Sequence, residues 1–215
     1  AIKQLKLDDK LSELGFNSKD KAAALGNIIG RMTAPGSERA TQQWLSSQSA
    51  LGELIEHDFE TTTLTRLYTV GDQLLKSQST LENFLYSQEK NLFNLNSTII
   101  FYDFTNTYFE GTCAANSTKS RLTREAEFGR SKEKRSDCRL VTMGLVLGGE
   151  GFPINSRIFN GNASESKTLQ EMIEGLNKDP KQSPVIVMDA IELSKAISFS
   201  RLKLIVLSVN TKIKF

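Results

Sequence analysis

Apolar positions change their period once along this chain, from helical spacing before about residue 95 to strand-like runs after Thr98. Leu5, Leu7, Leu11 and Leu14 recur at helical spacing, and Ser18-Lys19-Asp20 before Ala22-Ala23-Ala24-Leu25 predicts a helix start. Pro35-Gly36-Ser37-Glu38 marks a break, with Ser37 as the N-cap of a helix through Trp44 and Leu45. Helical periodicity resumes over 65–75, with Leu64, Leu67, Tyr68, Leu74 and Leu75, and over 79–93, with Leu81, Phe84, Leu85 and Leu92. The expected division is a helical N-terminal region, 1–95, followed by a second region, 96–215.

The second region alternates differently. Ile99-Ile100-Phe101-Tyr102-Asp103-Phe104-Thr105 predicts a first strand and Leu140-Val141-Thr142-Met143-Gly144-Leu145-Val146-Leu147 a second. Gly148-Gly149-Glu150-Gly151 supplies a hairpin turn into a third strand over 152–159, ended by Gly161-Asn162. Ser164 or Ser166 then caps a helix through Thr168, Leu169, Met172, Ile173 and Leu176, which Asn177-Lys178-Asp179-Pro180 stops. Val185-Ile186-Val187-Met188 is a short β-branched run of the kind found in interior parallel strands, and 204–209 offers one more strand. Three antiparallel-connected strands, a helix and a parallel strand returning beside the first make the topology of an α/β, ribonuclease-H-like fold.

Two acids sit inside these apolar runs. Asp103 lies in the middle of the first strand, where every neighbour predicts burial and an unpartnered carboxylate would cost several kcal/mol, on the order of other charge burials. A metal ion is the natural partner. Asp189 ends the strand that begins at Val185, at the C-terminal edge where open α/β sheets place their chemistry. In the predicted order the first and fourth strands are neighbours, which brings Asp103 and Asp189 together.

Composition narrows the setting. The chain has 215 residues, 39% hydrophobic and 24% charged, with a net charge of +2, which suits a globular protein and does not mark the molecule as a whole as an obvious polyanion binder. No apolar run approaches the ~18 residues of a membrane span, and Ala1-Ile2-Lys3-Gln4-Leu5-Lys6 is amphipathic instead of secretory. The expectation is a cytoplasmic protein with no membrane partner, whose Cys113 and Cys138 stay as unpaired thiols.

Charge is uneven, however. Lys119, Arg121, Arg124, Arg130, Lys132, Lys134, Arg135 and Arg139 outnumber Glu125, Glu127, Glu133 and Asp137, a local +4. Such a segment reads as a solvated loop on its own, and as a phosphate-contacting loop beside a metal-binding carboxylate. Trp44 reads as core and His57 as structural, so neither is assigned chemistry.

Ordered motifs in the second region resemble a known family. Tyr102-Asp103-Phe104-Thr105-Asn106-Thr107-Tyr108-Phe109-Glu110-Gly111, Gly129-Arg130-Ser131-Lys132-Glu133-Lys134-Arg135-Ser136-Asp137-Cys138, Gly151-Phe152-Pro153, Phe159-Asn160-Gly161-Asn162 and Val187-Met188-Asp189-Ala190 are similar to DDE-type transposases of bacterial insertion sequences. The superfamily is insertion-sequence group four, and the agreement covers residues 98–190.

The resemblance implies a ribonuclease-H-like core in which two Asp and one Glu hold two divalent ions, Mg²⁺ or Mn²⁺. Asp103 matches the first acid and Asp189 the second, as catalytic residues and metal ligands. Two ions about 3.5–4 Å apart suit in-line displacement at phosphorus, and hard cations prefer carboxylate oxygens. Arg130, Lys132, Lys134 and Arg135 would contact DNA phosphates, positioning the strand more than reading it. Tyr102, Tyr108 and Phe109 read either as stacking residues or as core, with core favoured. The implied partners are double-stranded DNA at terminal inverted repeats, target DNA, and a second copy or an intact transposase, in the nucleoid-associated cytoplasm of a bacterium.

The chain also departs from the family pattern. The third acid, expected downstream in a segment of spaced Tyr, Arg, Glu and Lys, is missing before Phe215, and Glu192 lies too close to Asp189 to replace it. After Asp189-Ala190 the chain reads Ile191-Glu192-Leu193-Ser194-Lys195-Ala196 where the family would place a Gly and an acidic helix start. Together with the start at Ala1, this suggests a truncated or frameshifted copy, lacking full activity. The alternative is a non-catalytic DNA-binding or regulatory fragment of a transposase. A ribonuclease-H-like nuclease unrelated to transposition would also need the third acid.

Overall fold

A computed structural model describes residues 2–95, 99–109, 139–163, 168–169, 171–172, 185–189 and 203–207. The chain is a mixed α/β protein in two compact units, Ala1–Gln88 and Glu89–Phe215. No helix among the described residues is long and apolar enough to cross a membrane.

The first unit is helical. Its elements are α1 (Leu7–Glu13), α2 (Ser18–Thr33), α3 (Glu38–Ser47), α4 (Leu51–Ile55), a 3-10 turn (Phe59–Thr61), α5 (Leu64–Lys76) and most of α6 (Gln78–Phe93). Side-chain caps satisfy the otherwise unpaired amides that begin several of these helices. Asn17 accepts from the Asp20 amide, Ser37 from the Ala40 amide and Thr63 from the Arg66 amide. Ser37 is the expected cap, whereas α2 is capped by Asn17, one residue before the Ser18 start that the pattern suggested.

The apolar stripes of these helices meet in one core. Leu11, Leu25, Leu45, Phe59, Leu67 and Val70 are buried in it, and Trp44 packs against it partly buried. Helix α2 runs against α3 and α5, and two glycines allow the close approach. A Cβ at Gly26 would stand 2.8 Å from Leu45 Cδ1, and one at Gly30 2.7 Å from Thr41 Cγ2. Polar links pin the same helices: Asp20 pairs with Arg66, and Asn27 Nδ2 donates to the Leu67 carbonyl at 3.0 Å.

The second unit holds a five-stranded sheet of β1 (Ile99–Phe109), β2 (Arg139–Gly148), β3 (Pro153–Asn160), β4 (Val185–Asp189) and β5 (Lys203–Leu207). The strand order is β3-β2-β1-β4-β5. Strands β1, β2 and β3 are antiparallel neighbours, while β4 lies parallel to β1 and β5 parallel to β4. The β2–β3 turn closes as the glycine-rich sequence requires: Gly151 has φ +85, and its amide donates to the Gly148 carbonyl at 2.8 Å.

One face of the sheet is a packed core. Ile100, Tyr102 and Phe104 of β1, Val146 of β2, Phe159 of β3, and Ile186 and Met188 of β4 are buried there with Leu169 and Met172. Thr168, Leu169, Glu171 and Met172 have helical backbone, where the crossover helix was expected. Gly144 makes room on this face, since a Cβ there would lie 3.0 Å from the Phe159 ring and 3.2 Å from Tyr102 Oη. The Tyr102 hydroxyl donates to Thr168 Oγ1 at 2.9 Å, so a buried phenol is satisfied by the element covering the sheet.

The other face of β1 is open, and this corrects one expectation. Ile99 is 41% and Phe101 39% exposed, and Asp103, Thr105 and Thr107 on the same side are exposed as well. Successive strand residues point to opposite faces, and only the even-numbered face of β1 is buried. Asp103 therefore does not carry the burial cost that its apolar neighbours implied.

Candidate metal centre on the sheet

Strands β1 and β4 meet in parallel with Tyr102 opposite Met188, and the next residue on each strand is Asp103 or Asp189. Adjacent strands are about 4.8 Å apart, so the register puts the two aspartate backbones side by side. Strand alternation puts Asp103 on the sheet face opposite Tyr102. Asp189 is the last residue of β4, while β1 continues past Asp103 to Phe109.

Asp103 is held locally. Thr105, two residues along β1 and on the same face, donates its hydroxyl to Asp103 Oδ2 at 2.8 Å. On the buried side Thr142 Oγ1 donates to Asn106 Oδ1 at 3.0 Å, linking β2 to β1. A carboxylate is a donor suited to a hard divalent cation.

Among the described residues, no group of three or more His, Cys, Asp and Glu gathers in a metal-binding arrangement. Arg130, Lys132, Lys134, Arg135, Glu192, Cys113 and Cys138 lie outside the described residues. Of the aromatic residues considered for stacking, Tyr102 is core and Tyr108 is partly buried. The Phe109 side chain lies outside the described residues, and Phe101, which was not among those considered, is exposed on the Asp103 face.

The Thr105 hydroxyl falls on the same face as Asp103, as expected for a residue two positions along a strand.

In the helical unit His57 has a structural setting. Its Nε2 lies 3.0 Å from Thr62 Oγ1, and its ring meets Phe59 edge-on at 4.9 Å between centroids. Burial lowers its pKa, Asp58 opposes the shift, and Lys19 and Arg66 add to it.

Comparison with family models, with curated proteins and with solved structures gave no match.

Proposed function

We propose that the second unit is the ribonuclease-H-like core of a DDE-type transposase of insertion-sequence group four, with Asp103 and Asp189 as two of its metal ligands. The observation that carries this reading is the β1–β4 register, which makes the two motif-borne aspartates neighbours although they are far apart in sequence. The order β3-β2-β1-β4-β5, with two antiparallel pairings and then two parallel ones, supports it further.

The two carboxylates fit Mg²⁺ or Mn²⁺ by donor type. When bound, such ions supply charge stabilisation for in-line displacement at phosphorus. The chain's own contribution is to hold the two acids on adjacent strands of a hydrogen-bonded sheet, which is stiffer than a loop. Arg130, Lys132, Lys134 and Arg135 are proposed to grip backbone phosphates of terminal-repeat DNA, giving salt-dependent binding.

The test uses labelled duplexes taken from the DNA flanking the coding sequence, incubated with the protein and Mn²⁺ or Mg²⁺. Strand nicking that disappears in Asp103→Asn and in Asp189→Asn supports the reading. Nicking that both variants retain contradicts it. Salt-dependent binding with no nicking turns the assignment to the non-catalytic, end-occupying alternative.

A further inference from the structure

We propose that Asn160-Gly161 is a self-modification site, at which Asn160 loses its side-chain amide to give aspartate and isoaspartate and so loosens the end of β3. The inference is independent of the metal site. It gives a role to part of the Phe159-Asn160-Gly161-Asn162 motif that phosphoryl chemistry leaves unused, and this is the only Asn-Gly step in the chain.

The step is a cyclisation. The Gly161 backbone nitrogen attacks Asn160 Cγ, the new C–N bond closes a succinimide, and the side-chain nitrogen leaves as ammonia, carrying the proton that the Gly161 amide gave up. Water then opens the ring at either carbonyl. One opening leaves aspartate, and the other leaves isoaspartate, with the main chain rerouted through the side chain. Water is the only co-reactant.

The fold leaves this step open. Asn160 is exposed and is the last residue of β3, which stands at the edge of the sheet. Its side-chain amide makes no hydrogen bond among the described residues, whereas those of Asn17, Asn27, Asn83 and Asn106 are bonded to Asp20, the Leu67 carbonyl, the Ser79 carbonyl and Thr142. Gly161 follows the last ladder pair, Val141 with Asn160, and the turn there is closed by the Ala163 amide donating to the Asn160 carbonyl at 2.9 Å. Glycine has no Cβ to oppose the rotation that ring closure needs. Asn162 is exposed as well, but it precedes Ala163, whose Cβ crowds the same closure. Gly161 is buried, while the reacting carbon and the leaving nitrogen belong to the exposed Asn160 side chain, where ammonia departs and water enters. Isoaspartate lengthens the main chain next to Phe159, which is buried in the core of the sheet.

The experiment holds the full chain folded in mildly alkaline buffer, which favours attack by the amide nitrogen, beside a portion unfolded in urea. The tryptic peptide 158–167, bounded by Arg157 and Lys167, is followed by mass spectrometry, with fragmentation to separate Asn160 from Asn162. Isoaspartate is counted by enzymatic methylation of its carboxylate, and fresh and aged chains are compared by thermal melting.

The expected result is loss of the amide at Asn160 in the folded chain, with both isoaspartate and aspartate formed and Asn162 intact. The loss should be suppressed in Gly161→Ala and in Asn160→Gln, whose ring would be larger, and the aged chain should melt lower than the fresh one. Conversion in urea with none in the folded chain shows that the fold shields the step and overturns the proposal. Conversion to aspartate alone marks direct hydrolysis and overturns it too. Equal melting of fresh and converted chains overturns the loosening of β3 and leaves the chemistry standing.

Discussion

Tyr102 and Met188 are register partners on adjacent parallel strands, and each is followed by an aspartate. The pair is buried on the packed face of the sheet. A strand turns successive residues to opposite sides, so burying Tyr102 turns Asp103 to the other, exposed face. Packing on one side thereby sets the geometry of candidate chemistry on the other.

The buried phenol is the first point of test. Tyr102→Phe removes the donor to Thr168, which is 1% exposed, and leaves a buried hydroxyl short of one partner. The expected cost is about 1–2 kcal/mol, measured by urea denaturation followed by far-ultraviolet circular dichroism. Thr168→Val in the Tyr102→Phe background should add less than it costs alone, because the two groups share one interaction.

A second prediction concerns the α4 corner. A Cβ at Gly52 would stand 2.6 Å from the carbonyl oxygen of His57, a backbone atom that cannot swing aside. Alanine gains about 1 kcal/mol in helix propensity, against an overpacking cost of about 1–3 kcal/mol. Gly52→Ala is therefore expected to lower the urea midpoint reported by Trp44 fluorescence, where an unobstructed helical glycine would raise it.

His57 gives that unit a pH dependence. Its folded pKa lies below the ordinary histidine value of 6.5, chiefly through burial, so the unfolded chain takes up a proton that the folded chain resists. Stability from this group is complete above the unfolded value and falls as the pH drops below it toward the folded one. The Trp44 urea midpoint should decrease between about pH 7.5 and about pH 5.5. His57→Gln should flatten that part of the profile.

Glu89 on α6 predicts the opposite slope. Its Oε2 is buried with no hydrogen-bond partner among the described residues, and burial raises its pKa above 4.5. The protonated form suits the fold, so the contribution is complete below the unfolded value and is lost as the pH rises through the folded one. Glu89→Gln should raise the urea midpoint at about pH 7 and lose that advantage by about pH 4.

Most elements were legible in the sequence because period and punctuation agreed. Ser37 after Pro35-Gly36 marked a helix start, and Gly148 to Gly151 marked the hairpin. The short α4 and the 3-10 turn were not anticipated, since Leu51-Gly52-Glu53-Leu54-Ile55 is too brief to show a period and leaves Leu54 80% exposed. The exposure of Asp103 was hidden for a different reason. Ile99 and Phe101 on the open face are as apolar as Ile100 and Tyr102 on the closed one, so no alternation announces that β1 is covered on one side only. The adjacency of Asp103 and Asp189 was legible, because it follows from strand order alone.

The central claim, that Asp103 and Asp189 form one divalent-metal site, is tested most directly by iron-mediated backbone cleavage. Fe²⁺ substitutes for Mg²⁺, and ascorbate with peroxide generates radicals that cut the chain beside the bound ion. The prediction is cutting near both residue 103 and residue 189, suppressed by excess Mg²⁺ and abolished at both positions by either Asp103→Asn or Asp189→Asn. Cutting elsewhere, or cutting at one position that survives loss of the acid on the other strand, would contradict a shared site.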